Sequence, residues 1–187
     1  MILDLGCGEN KRKGTIGVDI IKMPGVDVVC DLNKKLPFED NSVDGIYASH
    51  LLEHLDDFTK TMSEIWRVLK PGAWVEIWVP HFSSRAITWG DPTHKRPFGI
   101  NTFECFLAER NIPYIKAKFE IEKARLNFNL GGRKVKAKRL RHIPYLWLGG
   151  LMERAVNRNR SSQKRFETHW CQLFPFSELY IKLRVIK

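Results

Sequence analysis

Short runs rich in β-branched residues, separated by turn-forming residues, dominate the first 80 positions. These runs occupy Ile2–Leu5, Ile16–Asp19, Val26–Cys30 and Val43–Ala48, and a fifth follows at Ala73–Val79. Runs of this length bounded by Gly, Pro, Asn and Asp predict buried β-strands. The pattern therefore predicts a sheet whose strands succeed one another along the chain.

One segment between the fourth and fifth strands has the spacing of a helix. Apolar residues recur there every three or four positions, at Phe58, Met62, Ile65, Trp66 and Leu69. Asp56-Asp57 is placed to cap the helix, and Lys70-Pro71-Gly72 to end it. Strands alternating with such crossovers predict an α/β fold with a mostly parallel sheet.

The pattern changes after Pro80. Residues 81–99 read as a long polar and aromatic loop, and Thr102–Arg110 as a short helix. Residues 115–122 alternate in polarity, and the apolar parity then flips at Ala124, which indicates a bulge. Residues 179–185 alternate in the same way. Two half-exposed strands at this point predict an antiparallel edge pair.

Charge is distributed unevenly along the 187 residues, which have the length of one domain spanning 1–187. Residues 1–109 carry 12 Lys and Arg against 16 Asp and Glu, whereas residues 110–187 carry 19 against 5. The excess is densest at Arg133–Arg141, before the apolar stretch Ile143–Met152. Such a basic segment, 133–165, fits an anionic partner, a nucleic acid or a membrane surface. A solvated Lys/Arg-rich surface fits equally well.

The four cysteines lie far apart and form no CxxC pair. Free thiols are therefore expected, as in a reducing compartment. Neither a membrane-spanning apolar run nor a secretory leader is found. We therefore expect a cytoplasmic location; the sequence does not indicate an oligomeric state.

The candidate chemistry begins where the first strand runs into Gly6-Cys7-Gly8. Glycine lets a backbone approach a ligand closely, and ligands bind at the carboxyl ends of parallel strands. Asp19 ends the second strand, where it can accept both hydroxyls of a ribose, and Asp31 follows the third, near an adenine amine. The dinucleotide fingerprint GxGxxG fails because its third glycine is Lys11. An adenosine site without a diphosphate cradle favours S-adenosylmethionine over NAD or ATP.

Five motifs in order resemble the class I S-adenosylmethionine-dependent methyltransferases, and within them the type 11 group. They are Asp4–Gly8, Asp19, the run from Cys30 to Asp44, Ser49–Leu55 and Leu69–Ala73. The resemblance implies a Rossmann-like three-layer sandwich and methyl transfer to an unidentified acceptor. Residues 1–80 would form the cofactor-binding half and 81–187 the acceptor-binding half. The predicted cofactor contacts are Asp4, Gly6, Cys7, Gly8, Asn10, Asp19, Ile20, Asp31, Leu32, Ser49 and His50.

Two departures from the family pattern concern the cofactor side. Only Glu9–Thr15 lies between the glycine turn and the second strand, so the helix usual there is expected to be reduced to a turn. The chain also starts directly with the first strand, without a preceding helix. We expect a cofactor site more open on one side, with Asn10 and Lys11 as candidates to close it.

The segment His50-Leu-Leu-Glu53-His54 also matches HxxEH, the inverted zinc-peptidase motif. That motif needs one long helix carrying both histidines, whereas the pattern places a strand up to Ala48 and a new helix after Asp56. We therefore expect no metal site. His54 either packs beside the cofactor site or serves the acceptor.

The loop after the fifth strand is where this fold binds methyl acceptors. His81, Asp91 and His94 are the best catalytic candidates, with His54 behind them. Asp91-Pro92 also fits a simple turn. The competing function is a non-catalytic nucleic-acid or membrane-surface binding protein on the same fold, whose binding would fall steeply with salt. A nicotinamide oxidoreductase is disfavoured by the missing fingerprint.

Overall fold

A computed structural model describes the main chain of residues 1–128 and 143–187, and their side chains except those of 143–147. Within these ranges seven strands form one sheet of order β3-β2-β1-β4-β5-β7-β6. The strands are β1 (Ile2–Leu5), β2 (Ile16–Asp19), β3 (Val28–Val29), β4 (Val43–Ser49), β5 (Leu69–Pro80), β6 (Lys118–Asn127) and β7 (Glu178–Ile186). The predicted basic stretch Arg133–Arg141 lies outside the described residues.

The first five strands are parallel, and the chain order reverses between β1 and β4. Both strands run at the centre of the sheet and are nearly dry, with Leu3, Leu5 and Ile46 at most 1% exposed. A reversal of this kind opens a crevice at the carboxyl ends of the strands. The predicted parallel α/β sheet is confirmed.

The last two strands form the antiparallel pair that the alternation predicted. β7 lies between β5 and β6 and is antiparallel to both. The register of β6 shifts between Ile121 and Lys123. This irregularity falls where the apolar parity of the sequence flips, because the extra residue turns the following side chains over.

Five α-helices are described: α1 (Phe58–Val68), α2 (Arg85–Thr88), α3 (Ile100–Glu104), α4 (Ile143–Val156) and α5 (Arg160–Arg165). The Asp57 carboxylate caps α1 by accepting the Lys60 backbone N–H at 2.9 Å, as its position predicted. The short helix predicted over Thr102–Arg110 forms only in part and ends at Glu104. Only α3 forms, and Phe103 and Phe106 both turn inward to pack edge-on against Phe58.

The two faces of the sheet differ. Paired residues on neighbouring strands share a face, so the registers place Leu3, Ile46, Val75 and Leu183 on one side and Asp4, Tyr47, Glu76 and Lys182 on the other. The first row is completely buried, whereas Tyr47, Glu76 and Lys182 are half-buried. The α1 side chains of Met62 and Ile65 belong to the buried core.

The segment predicted to lack a helix does lack one: residues 9–15 form turns. Arg12 leaves this segment and lies over the half-exposed face, with its guanidinium 4.4 Å from the ring centre of Tyr47 and 4.6 Å from that of Trp78. None of the helices in the described ranges has the length and apolar character needed to cross a membrane.

Candidate active site

The turn after β1 is shaped by two glycines with left-handed backbone. Gly6 and Gly8 have φ of 65° and 52°, and the Gly6 N–H donates to the Val18 carbonyl at 2.8 Å. A Cβ at Gly6 would come within 3.0 Å of Leu51, so this turn packs against the segment that follows β4. A Cβ at Gly8 would meet nothing within 4 Å. The backbone at Gly8 therefore faces open space, as the approach of a ligand requires.

Asp19 joins the end of β2 to this turn. Its Oδ2 accepts the Gly8 N–H at 2.9 Å and its Oδ1 accepts the Ile21 N–H at 3.2 Å. An ionised carboxylate has about four lone-pair positions, so these two bonds leave acceptor capacity for ligand hydroxyls. The neighbouring Ile20 side chain is 59% exposed beside it. Asp19 and Ile20 thus lie at the carboxyl end of β2, where the sequence predicted contacts with the nucleoside.

Asp4, unlike Asp19, is buried and bonds to the segment that follows the glycine turn. Its side chain is nearly buried and its Oδ2 accepts the Arg12 backbone N–H at 2.8 Å. Burial raises the pKa of this carboxyl, against the lowering effect of Arg12. Through this hydrogen bond, the buried Asp4 carboxylate holds the backbone at Arg12, in the segment that follows the glycine turn. Whether it also touches a ligand stays a prediction.

Two other predicted contacts lie in the same turn. Cys7 is buried with its Sγ 4.0 Å from the Gly25 carbonyl, and burial raises the pKa of its thiol. Asn10 is exposed, and its backbone N–H donates to the Cys7 carbonyl at 3.3 Å. Lys11, the second candidate to close the site, pairs with Asp27 at 2.7 Å instead.

Asp31 follows β3 at the same edge of the sheet. Its Oδ1 accepts the backbone and side-chain N–H groups of Asn33, and the backbone bond holds the pKa of the carboxyl below its usual value. Both hydrogen bonds go to one oxygen, whereas Oδ2 lies 3.8 Å from the Lys34 ammonium, so its contact with an adenine amine stays a prediction. Leu32 is 6% exposed and belongs mainly to the core.

The carboxyl end of β4 carries Ser49 and His50. His50 has a left-handed backbone with φ of 51°, and its Nε2 lies 3.0 Å from Oε1 of Glu178 at the start of β7. Its Nδ1 lies 3.3 Å from Oε1 of Glu53. The hydrogen bond to Glu178, aided by Glu53, raises the pKa of His50 to about 9. His50 thus carries positive charge at neutral pH between two buried carboxylates.

The zinc-peptidase helix is absent from HxxEH, as expected. His50 ends a strand, and the next residues form a 3₁₀ turn over Leu52–His54. The two histidines therefore do not share a helical face.

Three of the four predicted catalytic residues come together. His54 and His94 pack edge-on with ring centres 4.7 Å apart, and Asp91 Oδ2 lies 3.9 Å from His94 Nε2. Thr93 links the group, because its hydroxyl lies 2.8 Å from His54 Nδ1 and 2.6 Å from Asp91 Oδ1. Hydrogen bonds from Thr93 hold the pKa of Asp91 below its usual value. Residues 91–94 therefore fold back onto the 3₁₀ turn.

His81 lies apart from that group. It is completely buried, with Nδ1 2.7 Å from the Ser83 hydroxyl and Nε2 3.0 Å from Glu167 Oε1. Glu167 also accepts the Ile100 N–H at 2.8 Å. Nε2 thus ties the loop to the π-helical turn Phe166–Trp170, whereas Nδ1 contacts the loop itself, and a catalytic role for His81 stays a prediction.

Sequence reasoning missed Glu178, Thr93 and the burial of Glu53. Glu178 reaches His50 from 128 positions away, and no local pattern connects them. Thr93 stands inside the motif Asp91-Pro92-Thr93-His94, and the Asp-x-Thr spacing is itself a signal for a side-chain-bonded turn. Glu53 was visible in HxxEH, but neither its complete burial nor the bond from the Lys95 N–H to its carbonyl at 2.7 Å follows from that motif.

Known proteins match parts of this chain by sequence and nearly all of it by fold. The family model described as "Methyltransferase domain" (Methyltransf_11) matches residues 3–77. Cycloartenol-C-24-methyltransferase of Arabidopsis thaliana is 38% identical over 71 residues, covering 36% of this chain and 21% of that protein. The ubiquinone/menaquinone biosynthesis C-methyltransferase UbiE of Desulfotalea psychrophila is 47% identical over 49 residues, covering 26% and 20%. The chain thus spans about a fifth of the length of these relatives.

A solved structure extends the likeness to the whole chain. The S-adenosylmethionine-dependent methyltransferase from Archaeoglobus fulgidus superposes with a TM-score of 0.61 at 23% identity, covering 98% of this chain and 85% of that one. This likeness shows a Rossmann-like fold. Together with the family match over residues 3–77, it supports a methyltransferase domain of type 11 in this part of the chain, with S-adenosylmethionine as the cofactor.

Proposed function

We propose that this protein transfers a methyl group from S-adenosylmethionine to an acceptor bound between the glycine turn and the loop 81–99. The observation that carries the proposal is the pairing of Gly8 N–H with Asp19 at 2.9 Å beside open space at Gly8. It puts a carboxylate and an unobstructed backbone at the crevice where the strand order reverses.

The chain's own residues would hold the cofactor at three points. Asp19 accepts the ribose hydroxyls, Asp31 Oδ2 accepts the adenine amine, and the backbone at Gly6 and Gly8 borders the rest. When bound, the cofactor supplies a methyl group already activated by its sulfonium. The protein then has to align the acceptor with that methyl and exclude water.

The acceptor side of the crevice is rich in carboxylates. Glu53, Glu178 and Asp91 surround His50, His54 and His94 there. Carboxylates repel an anionic group, so we propose that the reacting end of the acceptor is a neutral or cationic group such as a hydroxyl or an amine. His50, with its pKa near 9, balances charge here rather than accepting a proton.

The rest of the acceptor is not specified by the relatives. Sterol and quinone names belong to proteins that match only 36% and 26% of this chain. An anionic partner, nucleic acid or membrane surface stays a proposal based on the charge excess of residues 110–187. Part of that charge is neutralised within the protein, because Arg160 and Lys164 both pair with Glu104 at 3.0 Å and 2.9 Å.

Cofactor binding tests the proposal most directly. Isothermal titration of S-adenosylmethionine and its demethylated product should show one site, weakened about 10- to 100-fold in Asp19→Ala by the loss of charge-assisted hydrogen bonds. Asp44→Ala is the matched control, since Asp44 is an exposed aspartate at the amino end of β4 and should leave binding unchanged.

Two results would contradict methyl transfer. Absence of cofactor binding to the intact protein would refute the cofactor site itself. Strong binding of nucleic acid or anionic vesicles, falling steeply with salt and without cofactor binding, would favour the competing non-catalytic function. A methyltransferase acting on RNA would instead bind both.

A further inference from the structure

Glu53, His54 and His94 bring three metal-ligating groups together beside the end of β4. One carboxylate oxygen and one nitrogen of each ring all lie within 4.8 Å of one another. Glu53 and His54 belong to the 3₁₀ turn, whereas His94 comes from the loop after β5. The group is thus assembled by the fold and joins two segments about 40 positions apart.

The hydrogen bond of His94 decides which of its nitrogens is free to bind. Its Nδ1 lies 2.9 Å from the Thr88 carbonyl oxygen, which can only accept. The proton of the neutral ring therefore sits on Nδ1, and Nε2 presents its lone pair. A ring N–H donated to a backbone carbonyl is the usual outer partner of a metal-binding histidine.

His54 has the same tautomer for a different reason. The Thr93 hydroxyl has one proton, and the carboxylate of Asp91, 2.6 Å away, can only accept it. The contact of 2.8 Å between Thr93 Oγ1 and His54 Nδ1 must then be donated by the ring. Nε2 of His54 is left with its lone pair, so both rings are set to bind a cation.

Glu53 supplies the charged member of the group. The residue is completely buried, and neither of its carboxylate oxygens has a hydrogen-bond partner among the described residues. His50 Nδ1 approaches Oε1 to 3.3 Å, close enough for an ion pair but outside hydrogen-bond alignment. His50 offsets part of the cost of burying this charge, but both oxygens still lack a hydrogen bond, so a bound cation would lower the cost that remains.

We propose that Glu53, His54 and His94 form a binding site for a divalent transition-metal ion, with Zn²⁺ as the best match. Two imidazoles and one carboxylate suit Zn²⁺ and its neighbours in the first transition row better than Mg²⁺ or Ca²⁺, which prefer oxygen ligands. Three protein ligands leave coordination positions for water or another ligand. Asp91, 3.9 Å from His94 Nε2, adds negative charge favourable to a cation.

The sequence predicted no metal site, so this proposal differs from that expectation. Its ligands also differ from those that the HxxEH motif would supply. In HxxEH the ligands would be His50 and His54, whereas His50 here is engaged by Glu178. The metal would clamp residues 91–94 onto the 3₁₀ turn, whose Leu51 neighbour touches Gly6. It would therefore fix the loop that borders the acceptor side of the crevice.

Direct metal binding tests this proposal independently of methyl transfer. Titration of the chelator-treated full chain with Zn²⁺, and with Co²⁺ followed by its d–d absorption, should give one equivalent bound. His94→Gln and Glu53→Gln should weaken Zn²⁺ at least about 100-fold, and Thr93→Val about 10- to 100-fold, as loss of an outer partner does. Thr93→Ser keeps the hydroxyl and should restore binding. His169→Gln, which removes an exposed imidazole elsewhere, is the control.

Thermal unfolding gives a second measurement. Zn²⁺ at about 100 times its Kd should raise the Tm of the wild-type chain by roughly 5–10 °C, and leave that of His94→Gln unchanged. The proposal is overturned if wild type binds no Zn²⁺ or Co²⁺, or if His169→Gln loses as much binding as His94→Gln. It is equally overturned if Glu53→Gln keeps the full Zn²⁺ effect on Tm.

Discussion

The two faces of the sheet are built from the same strands by opposite means. Along β5 and β7 the residues Val75, Ile77, Ile181 and Leu183 are completely buried, and their neighbours in sequence are half-exposed. The buried face is an aliphatic surface packed against other apolar groups. The half-exposed face consists of aromatic rings and charged side chains that contact one another. Alternating residues of one strand thus contribute to two faces, a buried one that stabilises the fold and a half-exposed one that carries aromatic and charged groups.

The half-exposed face has an order of its own. The ring centres of Tyr47 and Trp74 lie 4.9 Å apart, as do those of Trp78 and Tyr180, and Arg12 lies over Tyr47 and Trp78. Trp74 fits closely because its partner on β4 is Gly45, where a Cβ would come within 2.4 Å of the ring. The Arg12 guanidinium covers Tyr47 and Trp78 on this face, and Arg12 belongs to residues 9–15, which lack the helix usual in the family.

The largest expected effect is on the buried face. Leu183→Ala should lower the free energy of unfolding by about 3 kcal/mol, because it leaves a cavity in a dry, close-packed layer. Urea denaturation measures the change. Lys182→Ala, the next residue on the opposite face, is the control and should cost less than about 1 kcal/mol. Similar losses in both variants would show that the faces are not distinct.

The Arg12 contact should give a smaller effect on the half-exposed face. A double-mutant cycle of Arg12→Met and Trp78→Leu should show a coupling of about 0.5–1 kcal/mol, the range of a partly exposed cation–π contact. Arg12→Met keeps the backbone N–H that Asp4 accepts, so the cycle isolates the ring contact. Zero coupling would mean that the guanidinium does not lie over the Trp78 ring in solution.

The smallest effect concerns Tyr180 and shows how dry the half-exposed face is. Burial, with Glu76 nearby, raises the pKa of Tyr180 to about 12. Because the folded-state pKa lies above the usual value near 10, this contribution to stability is complete below pH 10 and is lost as pH rises toward 12.

Tyrosinate absorbance measures that titration. The difference in tyrosinate absorbance between the wild type and Tyr180→Phe should stay near zero up to about pH 10, where ordinary tyrosines already ionise. The signal of Tyr180 should appear above that. A Tyr180 titration centred near pH 10 would indicate a face as wet as bulk surface.

The sequence predicted the features that depend on neighbours along the chain. Strand positions, the Asp57 cap and the bulge near Ile121 follow from periodicity and local hydrogen bonding. The glycine turn and Asp19 follow from their spacing to strand ends. These contacts join residues close in sequence or on two paired strands, so the local sequence pattern is sufficient to predict them.

The features that the sequence did not predict depend on distant partners. The helix predicted over Thr102–Arg110 ends early, at Glu104, and Phe103 and Phe106 there pack against Phe58 of α1, a contact that no local pattern indicates. His81 could not be separated from His94 by composition, since its partner Glu167 is 86 positions away. Glu53 likewise meets a distant segment, since its backbone carbonyl accepts the Lys95 N–H at 2.7 Å.

The position of β7 governs the order in which the sheet can be completed during synthesis. β6 leaves the ribosome before β7 but has its hydrogen-bonding partner in β7, and so does the outer edge of β5. Until residues 178–186 emerge, β6 and the outer edge of β5 lack their partner strand, and unpaired strand edges invite association with other chains. The arrival of Glu178 then closes the sheet and brings His50 its partner in the same event.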